Sequence, residues 1–243
     1  MKITELLDLK GIELNVSVSS KDEAINKLID LMCATGKISD KDAYKEGILA
    51  REALTSTGIG EGIAIPHAQV AAVKAPGLAA MTVPNGVDYE SLDGQPAHLF
   101  FMIAAPADGG STHLQALAKL SALLMDEGFR KDLLNAKTPE EFLSMIDMKE
   151  AEKDAEEAKR KETIEQFVDN AIAEGKINSD AKPKWVEMAQ NDFEMVQATL
   201  NSIPKRDKIS AEIANDPANI ENAENQMTAY KVLHKCRKMK IEK

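Results

Sequence analysis

His67 closes the run Ser56-Thr57-Gly58-Ile59-Gly60-Glu61-Gly62-Ile63-Ala64-Ile65-Pro66-His67, where flexible backbone, a short apolar segment and a nucleophilic imidazole meet. Gly58, Gly60 and Gly62 leave room for close backbone approach and for positive φ. Ile63 to Ile65 is too short for a helix and reads as a buried strand. Pro66 fixes its own φ and donates nothing to a sheet ladder, so His67 is expected at a strand end on a rigid approach. A neutral imidazole nitrogen attacks phosphorus without a metal and forms a labile phosphoramidate, which suits a group that must be handed on again. Such chemistry needs alignment and positive charge around the transferring oxygens. Arg51 is permanently charged and offers several donors to an anion; it is also the kind of cation a helix C-terminus favours. His113 falls in the first turn of an expected helix, beside backbone N–H groups that attract anions, or is a surface residue of that turn. The hydroxyls of Ser56 and Thr57 either contact the anion or close the loop.

Other chemistries fail on spacing. The glycines precede a strand, where a dinucleotide fingerprint has them between strand and helix, and no Gly-Lys-Ser/Thr follows to cradle a nucleotide phosphate. No His-Glu-x-x-His or similar ligand spacing exists, so neither a metal nor a cofactor is expected. His98 reads as a surface or strand-edge residue and His234 as a solvated one. Cys33 and Cys236 are too few and too far apart for a disulfide framework and read as reduced thiols. A net charge of −10 over 243 residues argues against a nucleic-acid surface. No apolar run approaches a membrane span, and Met1-Lys2-Ile3-Thr4-Glu5 does not open a signal sequence. A cytoplasmic protein without membrane insertion is expected.

The elements that must position these groups read as follows. A strand around Ile12 to Val16 precedes a helix capped by Ser20 with Glu23 completing a capping box and Gly36 as its stop. A second helix begins after Asp40 and ends near Arg51, aiming the guanidinium at the glycine loop. Leu78 to Val83 reads as a strand that Pro84-Asn85-Gly86 turns. Leu99 to Ala105 is almost continuously apolar, as in a strand covered on both faces. Ser111 or Thr112 caps the helix bearing His113, and two more helical pieces begin at Phe129 and at Thr138-Pro139-Glu140-Glu141. The fold class is therefore α/β, a mixed sheet flanked by helices. Residues 148–162 are nearly all charged or Ala and predict a solvated linker helix, with favourable pairs Glu156–Arg160 and Glu157–Lys161. From Ile164 onward apolar faces return, with Gly175-Lys176 as a stop, Trp185 and Phe193 as core residues, and a further segment from Pro217. A small all-α region follows the linker.

The segment Ser56 to His67 resembles the active-site segment of the fructose/mannitol-type enzyme IIA domain of the bacterial sugar phosphotransferase system. Leu49-Ala50-Arg51-Glu52-Ala53, Val87-Asp88-Tyr89, Leu92-Asp93-Gly94-Gln95-Pro96, Leu99-Phe100-Phe101 and Thr112-His113-Leu114 are similar to family segments in order and spacing. The resemblance covers about residues 1–147. It implies a phosphocarrier domain in which His67 takes phosphate from the phosphohistidine protein HPr and passes it to a IIB cysteine during sugar uptake, with His113 and Arg51 as neighbours. No Cys-Pro-Thr-Gly-like IIB loop follows the linker, so the IIB partner is expected on another chain. Two other readings stand beside this one. One is a nitrogen-type IIA regulator acting through the phosphorylation state of His67. The other is a fusion whose residues 163–243 are a binding or structural module; Ala171 to Ile177, Trp185 and Ile203-Pro204 resemble the helical tail of some phage protease and scaffold proteins.

Overall fold

The computed structural model describes residues 2–205, apart from the side chains of Thr112 and His113. His234, Cys236, the segment from Pro217 and the basic end lie outside the described residues. In chain order the elements are α1 (Ile3–Leu6), β1 (Leu7–Glu13), α2 (Lys21–Ala34), α3 (Lys41–Glu52), β2 (Gly58–Gly60), β3 (Ile63–Ala64), β4 (His67–Val70), β5 (Gly77–Val87), β6 (Ala97–Pro106), α4 (Thr112–Leu124), α5 (Glu127–Asn135) and α6 (Pro139–Ala173). A 3-10 turn (Ser179–Ala181), α7 (Lys182–Asn191) and α8 (Phe193–Ser202) complete them. Two compact units divide within α6, one through Glu156 and one from Glu157.

The first unit is built on one mixed sheet in the order β1-β5-β6-β3-β2, with β4 also paired to β6. β1 runs parallel to β5, β5 antiparallel to β6, and β3 and β4 parallel to β6. Side chains alternate across β6: Phe100, Met102 and Ala104 join a core with Leu28, Met32, Tyr44 and Ile48 from α2 and α3. Leu99, Phe101 and Ile103 join a second core with Leu120, Leu123, Leu133 and Phe142 from α4, α5 and α6. This two-sided burial accounts for the unbroken apolar run, because each successive residue of a strand meets a different helical layer.

Local chemistry sets most helix ends. Ser20 Oγ accepts the Glu23 N–H at 3.2 Å, but Glu23 returns its carboxylate to the Ser19 N–H (2.7 Å) and not to the cap itself. Asp40 and Asp126 cap α3 and α5 in the same way. Ser111 precedes α4 without a side-chain cap bond. The expected turn at Pro84-Asn85-Gly86 is instead an irregularity inside β5, which resumes pairing at Val87 with Ala97. The pairing with β1 has already ended at Met81, so Pro84 withholds no N–H from that side.

Thr138 caps α6 and Glu141 reaches back to Lys137 N, as the sequence suggests. From there the two expected helical pieces and the charged stretch between them form one continuous helix. The charged stretch is not solvated throughout. Glu150 is fully buried, its carboxylate accepting the Ile3 N–H at 2.9 and 3.0 Å and pairing with Lys119 at 2.6 Å. Lys149 pairs with Asp126 at 2.8 Å. These ties explain why the first unit extends to Glu156, beyond the boundary at 147 that composition suggests. The Lys149 ammonium, with the Phe129 N–H second, holds the Asp126 carboxyl down from 3.8 to about 2. A carboxyl lowered on folding contributes stability above its unfolded value that is lost as pH falls through the folded one. Asp126→Asn is therefore expected to flatten the fall in melting temperature between about pH 4 and pH 2, measured by thermal unfolding across that range.

The second unit has its own core of Ile164, Ala171, Ala189, Val196 and Leu200, against which Phe167, Trp185 and Phe193 pack. Phe167 and Phe193 meet edge to face at 5.4 Å. α6 ends at a left-handed Gly175 (φ 66°), with Gly175 N–H on Ile172 O and Lys176 N–H on Ala171 O. That is the paired 6→1 and 5→2 closure a C-terminal glycine permits. Glu157 pairs with Lys161 as expected, whereas Arg160 donates to Gln190 O.

Candidate phosphoryl-transfer site

The glycine loop is a tight hairpin between β2 and β3. Gly60, Glu61 and Gly62 all carry positive φ (94°, 54° and 76°), a run that only glycines flanking a single strained residue accommodate at modest cost. Glu61 is held there by its N–H on Asp93 Oδ2 (2.8 Å) and its carboxylate on Arg130 (2.7 Å).

Beyond the hairpin, β3 and β4 are one line interrupted by a proline. Ile63 pairs with Leu99 and Ala64 with Phe100, and after the break His67 pairs with Ile103 and Ala68 with Ala104, the same offset on both sides. Pro66 lacks an N–H to give β6, yet its carbonyl still accepts from Ile103 N at 2.9 Å. His67 thus opens a strand, where the sequence suggested it would follow the end of one.

The interruption gives the imidazole its partners. Ile65 O, 2.8 Å from His67 Nδ1, is an acceptor, so Nδ1 carries the proton. Arg51 Nε, 3.1 Å from Nε2, is a donor, so Nε2 presents its lone pair. Both contacts select one tautomer of the neutral ring. Arg51 lies in the last turn of α3, and its Nη1 donates to Thr55 O at 3.1 Å. α3 is itself tied to the strand opposite His67, because Tyr44 OH donates to Ile103 O at 3.4 Å. Burial pushes the Tyr44 hydroxyl far above its ordinary pKa, so it stays a donor.

The other sequence candidates divide. Ser56 Oγ donates to Tyr89 O (3.0 Å) and accepts from Gly58 N (3.2 Å), and Thr57, 3% exposed, donates its hydroxyl to Glu52 (2.5 Å). Both hydroxyls are engaged within the loop. His113 lies in the first turn of α4, immediately after β6, and its side chain lies outside the described residues. His98 is half-buried near the start of β6, a strand paired on both sides, with its Nδ1 3.2 Å from Val83 O, so it is not the surface or edge residue expected. Sequence reasoning missed the group behind the loop: Glu52 accepts from Thr57 N and Oγ1 and pairs with Lys21, whose ammonium sits 4.9 Å over the Tyr89 ring. Burial opposes the Lys21 charge, but Glu90 and Glu52 carry its pKa above the ordinary lysine value. The adjacency of Arg51 and Glu52 was the only local signal of this arrangement. Among the described residues, no group of three or more His, Cys, Asp or Glu side chains is placed to hold a metal ion. No described helix is long and apolar enough to cross a membrane.

Residues 5–149 match the family described as "Phosphoenolpyruvate-dependent sugar phosphotransferase system, EIIA 2", and the chain belongs to that family. Its first unit has the fold of enzyme IIA structures. It is 52% identical over 146 residues to the "PTS system fructose-specific EIIABC component" of Bacillus subtilis (strain 168), a match covering 60% of this chain and 23% of that protein. It is 41% identical over 136 residues to the "PTS system fructose-specific EIIA component" of Haloferax volcanii, covering 56% of this chain and 88% of that one. The chain therefore spans about a quarter of the first relative and most of the second. Among solved structures, enzyme IIAMTL of Escherichia coli, in complex with phosphorylated enzyme IIBMTL, is 29% identical with a TM-score of 0.51, over 58% of this chain and 98% of that one.

Proposed function

We propose that this chain is a phosphocarrier of sugar uptake, taking a phosphoryl group from phospho-HPr on His67 Nε2 and passing it to the cysteine of a IIB domain on another chain. One observation carries the reading: Nε2 is held as the lone-pair nitrogen beside the Arg51 guanidinium. In the first step the Nε2–P bond forms as the N–P bond of the donor phosphohistidine breaks, its electron pair returning to the donor ring. Nδ1 keeps its proton, and Ile65 O supports the positive charge that the ring acquires. In the second step a cysteine thiolate forms an S–P bond and the pair returns to Nε2. Arg51 shields Nε2 at rest, and its Nε–H moves from the ring nitrogen to a phosphoryl oxygen as phosphorus approaches. His113 is a second donor at the N-terminal turn of α4, where backbone N–H groups favour an anion. The fructose-specific relatives support fructose as the sugar, and the complex of enzyme IIAMTL supports IIB as the acceptor. A cytoplasmic location follows from HPr as donor.

The reading also divides the chain functionally, with residues 1–156 as the phosphocarrier and the second unit as a separate helical module. Incubation with enzyme I, HPr and phosphoenolpyruvate should label His67 with acid-labile phosphate, and adding a fructose-type IIB domain should discharge it. Label that stays on His67 in the presence of such IIB domains would remove the transport role. Arg51→Ala is expected to slow phosphorylation about 10²-fold, the effect of losing one preorganised donor. Single-turnover labelling measures it, and an unchanged rate would reduce Arg51 to a helix-end cation.

A further inference from the structure

Glu52 is an acidic residue of low exposure directly after Arg51, and the phosphoryl-transfer chemistry has no direct use for a carboxylate. Its contacts lead to the reactive ring through the backbone. One carboxylate oxygen accepts Thr57 N–H at 2.9 Å, the other accepts Thr57 Oγ1–H at 2.5 Å, and Lys21 supplies the countercharge at 3.0 Å. Thr57 O then accepts Ile65 N–H at 3.0 Å, and Ile65 O lies 2.8 Å from His67 Nδ1. Each contact in this series fixes the position of the next group, since backbone N–H and C=O can only donate and accept respectively. Beyond the imidazole, Arg51 closes the path back to α3, the helix that also carries Glu52.

We infer that Glu52 is a positioning residue for phosphoryl acceptance: by clamping Thr57 it holds Ile65 O against Nδ1 and so keeps the lone pair of His67 on Nε2. The reason is geometric. An imidazole tautomer is chosen by the hydrogen bond at the other nitrogen, and at His67 that bond goes to a carbonyl two residues away, in the break at Pro66 where Ile65 is not part of β3. Nothing in the β6 ladder fixes the Ile65 N–H, because β3 pairing ends at Ala64 and β4 pairing begins at His67. Thr57 provides that fixed point, and Glu52 is what locks Thr57 by both its backbone and its hydroxyl. Lys21 in turn holds the carboxylate in place, its ammonium shared between Glu52, Glu90 and the Tyr89 ring face.

The inference rests on the phosphocarrier reading for its consequence, but its structural content is testable without a phosphoryl donor. Nitrogen-15 NMR of the imidazole groups in the full-length, unphosphorylated protein distinguishes the two neutral tautomers, and His67→Gln assigns the His67 signals. The wild type is expected to show the Nδ1–H form alone. Glu52→Gln and Thr57→Val, each checked for a native fold by circular dichroism, are expected to show both tautomers in exchange. Their phosphorylation by phospho-HPr should lose about twofold or more in kcat, in step with the fraction of the Nε2–H tautomer and with little change in KM, because the docking surface is intact while fewer molecules present Nε2. Thr57→Val removes only the hydroxyl and serves where Glu52→Gln fails to fold. A wild-type tautomer pattern in the folded variants overturns the inference, whatever the rates, and so does an Nε2–H tautomer in the wild type. Failure of wild-type protein to accept phosphate from phospho-HPr would instead overturn the carrier function, leaving the tautomer measurement to decide the role of Glu52.

Discussion

His67→Ala is expected to accept no phosphate from phospho-HPr and to keep its fold. The substitution removes the nitrogen proposed to bond phosphorus, so the loss should reach the labelling limit, on the order of 10³-fold or more, as for other nucleophile deletions. The cost to the fold is small by comparison. The ring contributes its bonds to Ile65 O and Arg51, each with a net value near 1 kcal/mol, while the backbone pairing of His67 with Ile103 survives. A melting temperature within about 2–8 °C of the wild type is expected at this size. His67→Gln, which keeps a polar side chain, should be equally inactive. Acid-labile label persisting in either folded variant would place the acceptor elsewhere, with His113 the first residue to map.

The largest effect on stability is expected at Glu150. Glu150→Ala leaves the buried Ile3 N–H at the start of α1 without its acceptor and takes from the partly exposed Lys119 a partner at 2.6 Å. Breaking one side of such a pair costs about 3 kcal/mol, the lower part of the usual range because Lys119 is partly exposed. That corresponds to a fall of roughly 6–12 °C in the melting of the first unit. The same contact sets where the chain can be cut. A fragment ending at residue 156 should melt with the first unit of the full chain and accept phosphate. One ending at 147 lacks both Lys149 and Glu150 and should lose at least as much stability as Glu150→Ala. Equal melting of the two fragments would show that the buried carboxylate contributes nothing net.

Much of the molecule was legible because its determinants are local. Ser20, Asp40 and Thr138 cap helices through bonds spanning three residues. Gly175 ends α6 by adopting a backbone that other residues resist. The apolar run of β6 announces burial on both faces, and the order of glycines, short strand, proline and histidine places His67 just after the break in the strand line. The two-unit organisation was also visible in composition, although its border was not.

What the sequence left open depends on partners far apart in the chain. Whether a charged stretch is solvent-facing is decided at Glu150 by Ile3 and Lys119, more than a hundred and about thirty residues away, and no local rule connects them. The same holds for Lys21 behind the active loop, which reaches Glu52 only because α2 and α3 pack on one side of the sheet. Pro84-Asn85-Gly86 has turn chemistry, yet the antiparallel partner β6 carries β5 through it, since pairing over many residues outweighs a local preference. The sequence by itself determined the mixed sheet and the short strand and proline that precede His67, the proposed nucleophile. The proton on Nδ1 waited on the tertiary structure, because a tautomer is set by which donor and which acceptor reach the two nitrogens, and at His67 the donor arrives from α3.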